Sequence, residues 1–230
     1  MSKALSLFGR AIRETGQALD RLGLKVAEHD IYLDTFSRHR PVMNLFDKKP
    51  IVDNSVFVAP NASVIGSVVI REDSSVWYGA VIRGDKNIVR IGRKTNIQDR
   101  AVISTVHELD SGFPATVEIG SNVTIGHGAI ITSSIVRNNS LIGQGAIIGA
   151  GSVIGRNALI AAGANVLPET IVLDNQLWAG NPAKHIRDLT EEEIGNLQKS
   201  ADSYAELKNE HSEQFLPFGT IYQEAEKHQK

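Results

Sequence analysis

IGSNVTIGHGAIITSSIVRNNSLIGQGAIIGAGSVIGRNALIAAGANV, residues 119–166, sets an aliphatic side chain at every sixth position: Ile119, Ile125 and Ile131, then Val136, Ile142, Ile148, Ile154, Ile160 and Val166. The phase breaks once inside this stretch, at Ser134 and Ile135. Upstream the same spacing runs through Val52, Val58, Val64, Ile70, Val76 and Ile82, and then through Ile91, Ile97 and Ile103. The other interruptions fall at residues 86–90 and 104–118. Gly follows many of the aliphatic residues, where a tight corner benefits from the absence of a Cβ. A period of six is neither the 3.6 of a helix face nor the 2 of strand alternation. It suits a triangular coil in which each six-residue unit gives one short strand and one corner. Three units make a turn, and stacked turns bury the aliphatic columns while their backbones pair in parallel. Val52 to Val166 then makes about six or seven coils, enough for a continuous core. The alternative is a β-sandwich with evenly spaced strands.

The pattern resembles that of hexapeptide-repeat proteins, and the resemblance implies the fold class: an all-β solenoid, a left-handed parallel β-helix. The hand comes from the resemblance alone, because parallel crossovers are ordinarily right-handed.

At 230 residues and ordinary composition the chain has material for one folded body with terminal extensions. Its 24 Lys and Arg nearly balance 26 Asp and Glu, so a net charge of −2 gives no reason to expect a nucleic-acid partner. The absence of Cys removes disulfides, thiolate nucleophiles and Cys-type zinc sites, leaving His, Asp and Glu as metal ligands. No apolar run approaches the roughly 20 residues of a membrane span, so membrane contact is expected to be peripheral or through a partner. Lys3, Arg10 and Arg13, with Ser2 and Ser6 and no acid among them, carry the bias of an organelle-targeting start.

The ends depart from the repeat. Leu5, Phe8, Ile12, Thr15, Leu19 and Leu22 follow a 3,4 spacing, so residues 4–22 read as an amphipathic helix stopped at Gly23. Three roles fit it: docking on a protein surface, lying in a membrane interface, or packing on its own domain. Thr190 and Glu193 form a capping box ahead of Ile194, Leu197, Ala201, Tyr204 and Leu207, which share one helical face. The expected organisation is a docking helix at 1–24, a linker at 25–50, the β-helix at 51–188, a C-terminal helix at 189–212 and a tail at 213–230. The tail, with Pro217 and several aromatics, reads equally as a partner-binding segment and as a loosely held terminus.

Two stretches carry a closer likeness: VWYGAVIRGDKNIVRIGRKTNIQD at residues 76–99 and VTIGHGAI at 123–130, continued by WAGNPAKHIRDLTEEE at 178–193. They resemble the γ-class carbonic anhydrases. GRAIRETGQALDRLG at residues 9–23 is similar to the N-terminal helix of the mitochondrial γ-carbonic anhydrase subunits of respiratory complex I. In that family zinc lies between adjacent subunits of a trimer, bound by two His of one chain and a third of its neighbour. The resemblance places the three ligand positions at Ser104, His127 and Thr132. Only His127 keeps an imidazole, and neutral hydroxyls replace it poorly as zinc ligands. His107, three residues past Ser104, still leaves the count short. His29, His39, His185, His211 and His228 lie outside the core repeat and read as surface or packing residues.

His127 admits two readings, an inert corner residue or a donor completing a zinc site across one interface with a partner that supplies two His. By resemblance Arg83 and Asp99 pair between chains and Gln98 orients zinc-bound solvent, with Asp85 near the same interface. A forked guanidinium–carboxylate pair fixes chain register without catalysis. The expectation is therefore no cofactor on its own, with zinc at an interface shared with a partner chain as the alternative. The expected role is a structural and assembly subunit of a heterotrimer with other γ-carbonic anhydrase subunits. It would sit on the matrix side of the mitochondrial inner membrane, against the complex I membrane arm and the membrane surface. The rivals are a working carbonic anhydrase through the hybrid site and a hexapeptide-repeat acyltransferase with His127 as its base.

Overall fold

The computed structural model describes residues 40–214 continuously, together with residues 8, 9, 11, 12, 15, 16, 18, 19, 22, 23 and 26. The tail from 215 onward, most of the expected linker, and His29, His39 and His228 lie outside the described residues.

The six-residue period builds a parallel β-solenoid of about 8 turns. Each aliphatic residue of the period points inward, and the residue before it in its strand points out, as the pleat requires. One face stacks Phe57–Val58, Ser75–Val76, Asn96–Ile97, Thr124–Ile125, Leu141–Ile142, Leu159–Ile160 and Gln176–Ala179. A second continues through Val102–Ser104, Ile130–Thr132, Ile147–Ile148 and Asn165–Val166. A third carries Val117–Ile119, Ile135–Val136, Val153–Ile154 and Ile171–Val172. Register puts Ile97, Ile125, Ile142 and Ile160 in one internal column and Ile103, Ile131, Ile148 and Val166 in another, all at 0% exposure. Each such burial stabilises by about 1.5–3 kcal/mol.

The second and third faces share one sheet because two long strands turn the corner unbroken. Ser63–Ile70 pairs with Val81–Ile91, with a register shift between Gly66 and Val68. The interruption at residues 86–90 is thus a strand rounding a corner. Residues 105–116 form the longer excursion between the second and third faces. The strand Val42–Met43 pairs with Val64 and Ile65, so this part of the segment expected as a linker is a rung of the solenoid.

One corner is lined by Asn122, Asn139, Asn157 and Asn175, all at positive φ of 53–61°. Asn tolerates this left-handed backbone better than most residues. Its amides also join the coils, Asn122 Nδ2 donating to Asn139 Oδ1 at 3.1 Å and Asn157 Nδ2 to Asn175 Oδ1 at 2.8 Å. The last parallel strand, Gln176–Ala179, is followed by an antiparallel one, Lys184–Asp188, with a bulge between Leu177 and Trp178. Every residue of that final strand is exposed.

The helix Glu191–Gln214 returns along the first face. Thr190 begins it: the Glu193 amide donates to Thr190 Oγ1 at 3.3 Å, and the Thr190 amide donates to Glu193 Oε2 at 2.9 Å. Leu197 and Ala201 are buried against the solenoid. Lys208 is also buried, its Nζ donating to the Ser55 carbonyl at 2.8 Å and to Asp73 Oδ1 at 3.0 Å. Among the described N-terminal residues, all are helical, and Phe8, Ile12, Leu19, Leu22 and Val26 are exposed.

The forked bond from Arg187 (2.8 and 2.7 Å), with the Thr190 amide, holds the Glu193 carboxyl at about 2. A carboxyl depressed on folding stabilises above its ordinary value of 4.5 and loses that contribution as pH falls toward 2. Glu193→Gln is therefore expected to lower the thermal midpoint near neutral pH, with the difference from wild type shrinking below about 4.5. Calorimetry across that range checks it; a difference independent of pH would deny the carboxylate its role.

Candidate functional site

After Ile125 points into the core, the chain turns at Gly126, His127 and Gly128 to enter the second face. Gly128 adopts φ +65°, a conformation that favours glycine, and its amide donates to the Asp99 carbonyl of the preceding coil at 2.8 Å. The Gly145 amide of the following coil donates to the His127 carbonyl at 2.8 Å. Backbone bonds on both sides thus fix this corner, and the imidazole projects outward at 41% exposure.

One coil earlier the equivalent position is Asp99, whose Oδ2 lies 3.2 Å from His127 Nδ1. Its other oxygen, Oδ1, accepts the Tyr78 amide at 3.0 Å, Tyr78 being the same position one coil earlier again. The carboxylate thus stands within ion-pair range of Nδ1, on the side from which carboxylates orient metal-binding histidines. Around the pair lies an open cleft of about 540 Å3 lined by Asn61, Tyr78, Gly79, Asp99, Arg100, His127 and Gly128.

The other residues singled out from sequence collect elsewhere. Register aligns Arg83, Ser104 and Thr132 as neighbours on three successive strands of the second face. Ser104 and Thr132 are half-buried outward positions, and neither lines the His127 cleft. Arg83 binds Asp85 within the chain. Burial pushes the Asp85 carboxyl up, but the Arg83 bond and charge and the Lys86 amide outweigh it, so the carboxyl sits below its ordinary value. Gln98 is buried, its Nε2 3.4 Å from Asn96 Oδ1, and is not part of the cleft wall. His107 is exposed on the 105–116 excursion, where its carbonyl accepts Asn87 Nδ2 at 3.0 Å. His185 lies 3.2 Å from Asp188 Oδ1, and His211 packs edge-on to Trp77 with Nδ1 2.8 Å from the Tyr78 hydroxyl.

Tyr78, Asn61 and Arg100 were not singled out from the sequence. Tyr78 holds the same place in its coil as Asp99 and His127, and alignment of the coils rather than of the linear chain reveals it. Among the described residues no three His, Cys, Asp or Glu side chains converge as a metal site requires. One imidazole with two neutral hydroxyls on a separate surface does not fit zinc within a single chain.

No family model matches the chain. It is 44% identical over 212 residues to "Gamma carbonic anhydrase 1, mitochondrial" of Arabidopsis thaliana, a match that covers 92% of this chain and 77% of that one. The chain belongs to the γ-carbonic anhydrase family. Within the family it is also 41% identical over 191 residues to "Gamma carbonic anhydrase-like 1, mitochondrial" of the same plant, covering 83% of this chain and 76% of that one. Among solved structures, a hexapeptide transferase family protein from Anaplasma phagocytophilum superposes with a TM-score of 0.68 at 39% identity. That likeness covers 73% of this γ-carbonic anhydrase chain and 96% of the other.

Proposed function

We propose that this γ-carbonic anhydrase chain is an assembly subunit of a heterotrimer on the matrix side of the mitochondrial complex I membrane arm, and that His127 is its contribution to a zinc site shared with a neighbouring chain. The observation that carries the reading is the separation of the ligand positions. His127 stands on a corner, 3.2 Å from Asp99, whereas Ser104 and Thr132 stand together on the adjoining face. A second chain whose face bears His at the matching positions would bring three imidazoles to one point. Three such ligands would hold zinc, and the group would supply the Lewis acidity that carbon dioxide hydration uses. This chain's part is to present one imidazole from a corner held by backbone bonds, with Asp99 beside it.

The mitochondrial names of the relatives support the location. The exposed apolar side chains of Phe8, Ile12, Leu19 and Leu22 support docking of the N-terminal segment on an apolar surface. Among the described residues no helix is long and apolar enough to cross a membrane, so attachment would run through that segment.

Metal analysis of the purified heterotrimer tests the reading. His127→Ala is expected to remove the zinc of one interface while the trimer persists, and Asp99→Asn to weaken its retention by roughly ten- to a hundredfold. Zinc content indifferent to both substitutions would remove His127 from any metal site. Rapid carbon dioxide hydration by the isolated chain with stoichiometric zinc would overturn the shared-site reading altogether.

A further inference from the structure

The third face carries a second hollow, about 470 Å3 in volume, that shares no residue with the His127 cleft. Half-buried Val69 and Ile135 lie in its wall, and four arginines surround it: Arg71, Arg90, Arg137 and Arg156. Its shape follows from the coil register. Ile70, Ile91, Ile119 and Val136 stack, so the residues after them, Arg71, Gly92, Gly120 and Arg137, form a column of their own. Two positions without side chains therefore separate two guanidinium-bearing ones. Strand spacing sets the ends of that column about 14 Å apart.

Charge balance distinguishes this hollow from an ordinary basic surface. Arg90 in the wall binds Glu118 of the following coil at 2.9 Å, and Arg93 just outside it binds Glu72 of the preceding coil at 2.8 Å. Arg71, Arg137 and Arg156 have no carboxylate in ion-pair range among the described residues. With Glu118 as the lone acid in the wall, the hollow holds an excess of three positive charges from four arginines and one glutamate. Guanidinium groups recognise phosphate through paired charge-assisted bonds, and several in one recess favour a ligand with several negative charges.

We propose that this hollow binds a ligand carrying two or more phosphate charges. Paired phosphate charges are common to soluble pyrophosphate and to the headgroup of a lipid with two phosphodiesters, such as cardiolipin, and the two sources separate by experiment. The full chain is titrated calorimetrically with inorganic pyrophosphate, and sedimented in parallel with phosphatidylcholine vesicles with and without cardiolipin. Replacing Arg137 and Arg156 together by Gln is expected to weaken binding about tenfold or more per guanidinium removed. Glu118→Gln is expected to strengthen it, and Lys184→Gln, on the exposed final strand, to leave it unchanged. Pyrophosphate binding that follows this order assigns a soluble ligand. Cosedimentation only with cardiolipin vesicles, in the same order, assigns a lipid headgroup. Failure of both probes, or binding that the arginine substitutions leave intact, overturns the proposal.

Discussion

Gly84→Val is expected to leave little or no folded protein. A Cβ at this position would lie 2.2 Å from the Ser67 carbonyl oxygen and 2.6 Å from its carbon. Neither is the end of a flexible side chain. Gly84 and Gly66 are register partners where two long strands round the corner together, and a Cβ on Gly66 would in turn lie 2.5 Å from the Gly84 oxygen. Overpacking that side chains can absorb costs about 1–3 kcal/mol. Here the backbones of two coils must separate, so the cost should exceed that range and reach a large share of the roughly 5–15 kcal/mol of a whole domain. Expression yield and urea unfolding check it. The contrast is Gly195→Ala in the C-terminal helix, where the added Cβ meets nothing within 4 Å. Helix propensity predicts a gain of about 0.5–1 kcal/mol there. A Gly84 variant that unfolds with wild-type midpoint would refute the close approach.

The second large effect concerns Ile125, fully buried between Ile97 and Ile142 in its column. Ile125→Val should cost about 0.5–1.5 kcal/mol and Ile125→Ala about 2–5 kcal/mol, the cavity persisting because the coils above and below cannot close it. Ile125→Asp adds the desolvation of a carboxyl with no partner, several kcal/mol further. It should abolish folding, and because Ile125 leads directly into the His127 corner, the milder variants should loosen that corner before they unfold the chain. Equilibrium unfolding of the series, with amide exchange at Gly128, measures both. A flat response across Val, Ala and Asp would mean that the column is not packed as described.

The solenoid was legible because a six-residue period is a local property that survives in linear order. The corners that interrupt it were less so. Residues 86–90 read as a break, yet Val81–Ile91 is one strand, since its continuity depends on Gly84 meeting Gly66, a contact between coils that no window of sequence contains. Val42–Met43 was missed for the opposite reason: two residues carry no period, and their strand character comes from pairing with Val64 and Ile65. At the candidate site, His127 stands out by residue type. Its closeness to Asp99 does not, because the 105–116 excursion between their coils obscures that both occupy one corner. The C-terminal helix was announced by its cap, a signal held within four residues, whereas the burial of Lys208 depends on Ser55 and Asp73, far away in the chain.

The reversed strand Lys184–Asp188 has a further consequence for how these molecules behave in a crowd. A stack of parallel strands ends in a row of open hydrogen-bonding groups, the geometry on which fibrils elongate. Running backwards, bulged and bearing Lys184, His185, Arg187 and Asp188, the last strand gives an incoming copy the wrong polarity and a charged margin. Along that face strand addition by another copy is disfavoured, and loss of this short hairpin would bare the edge of Gln176–Ala179 to such pairing.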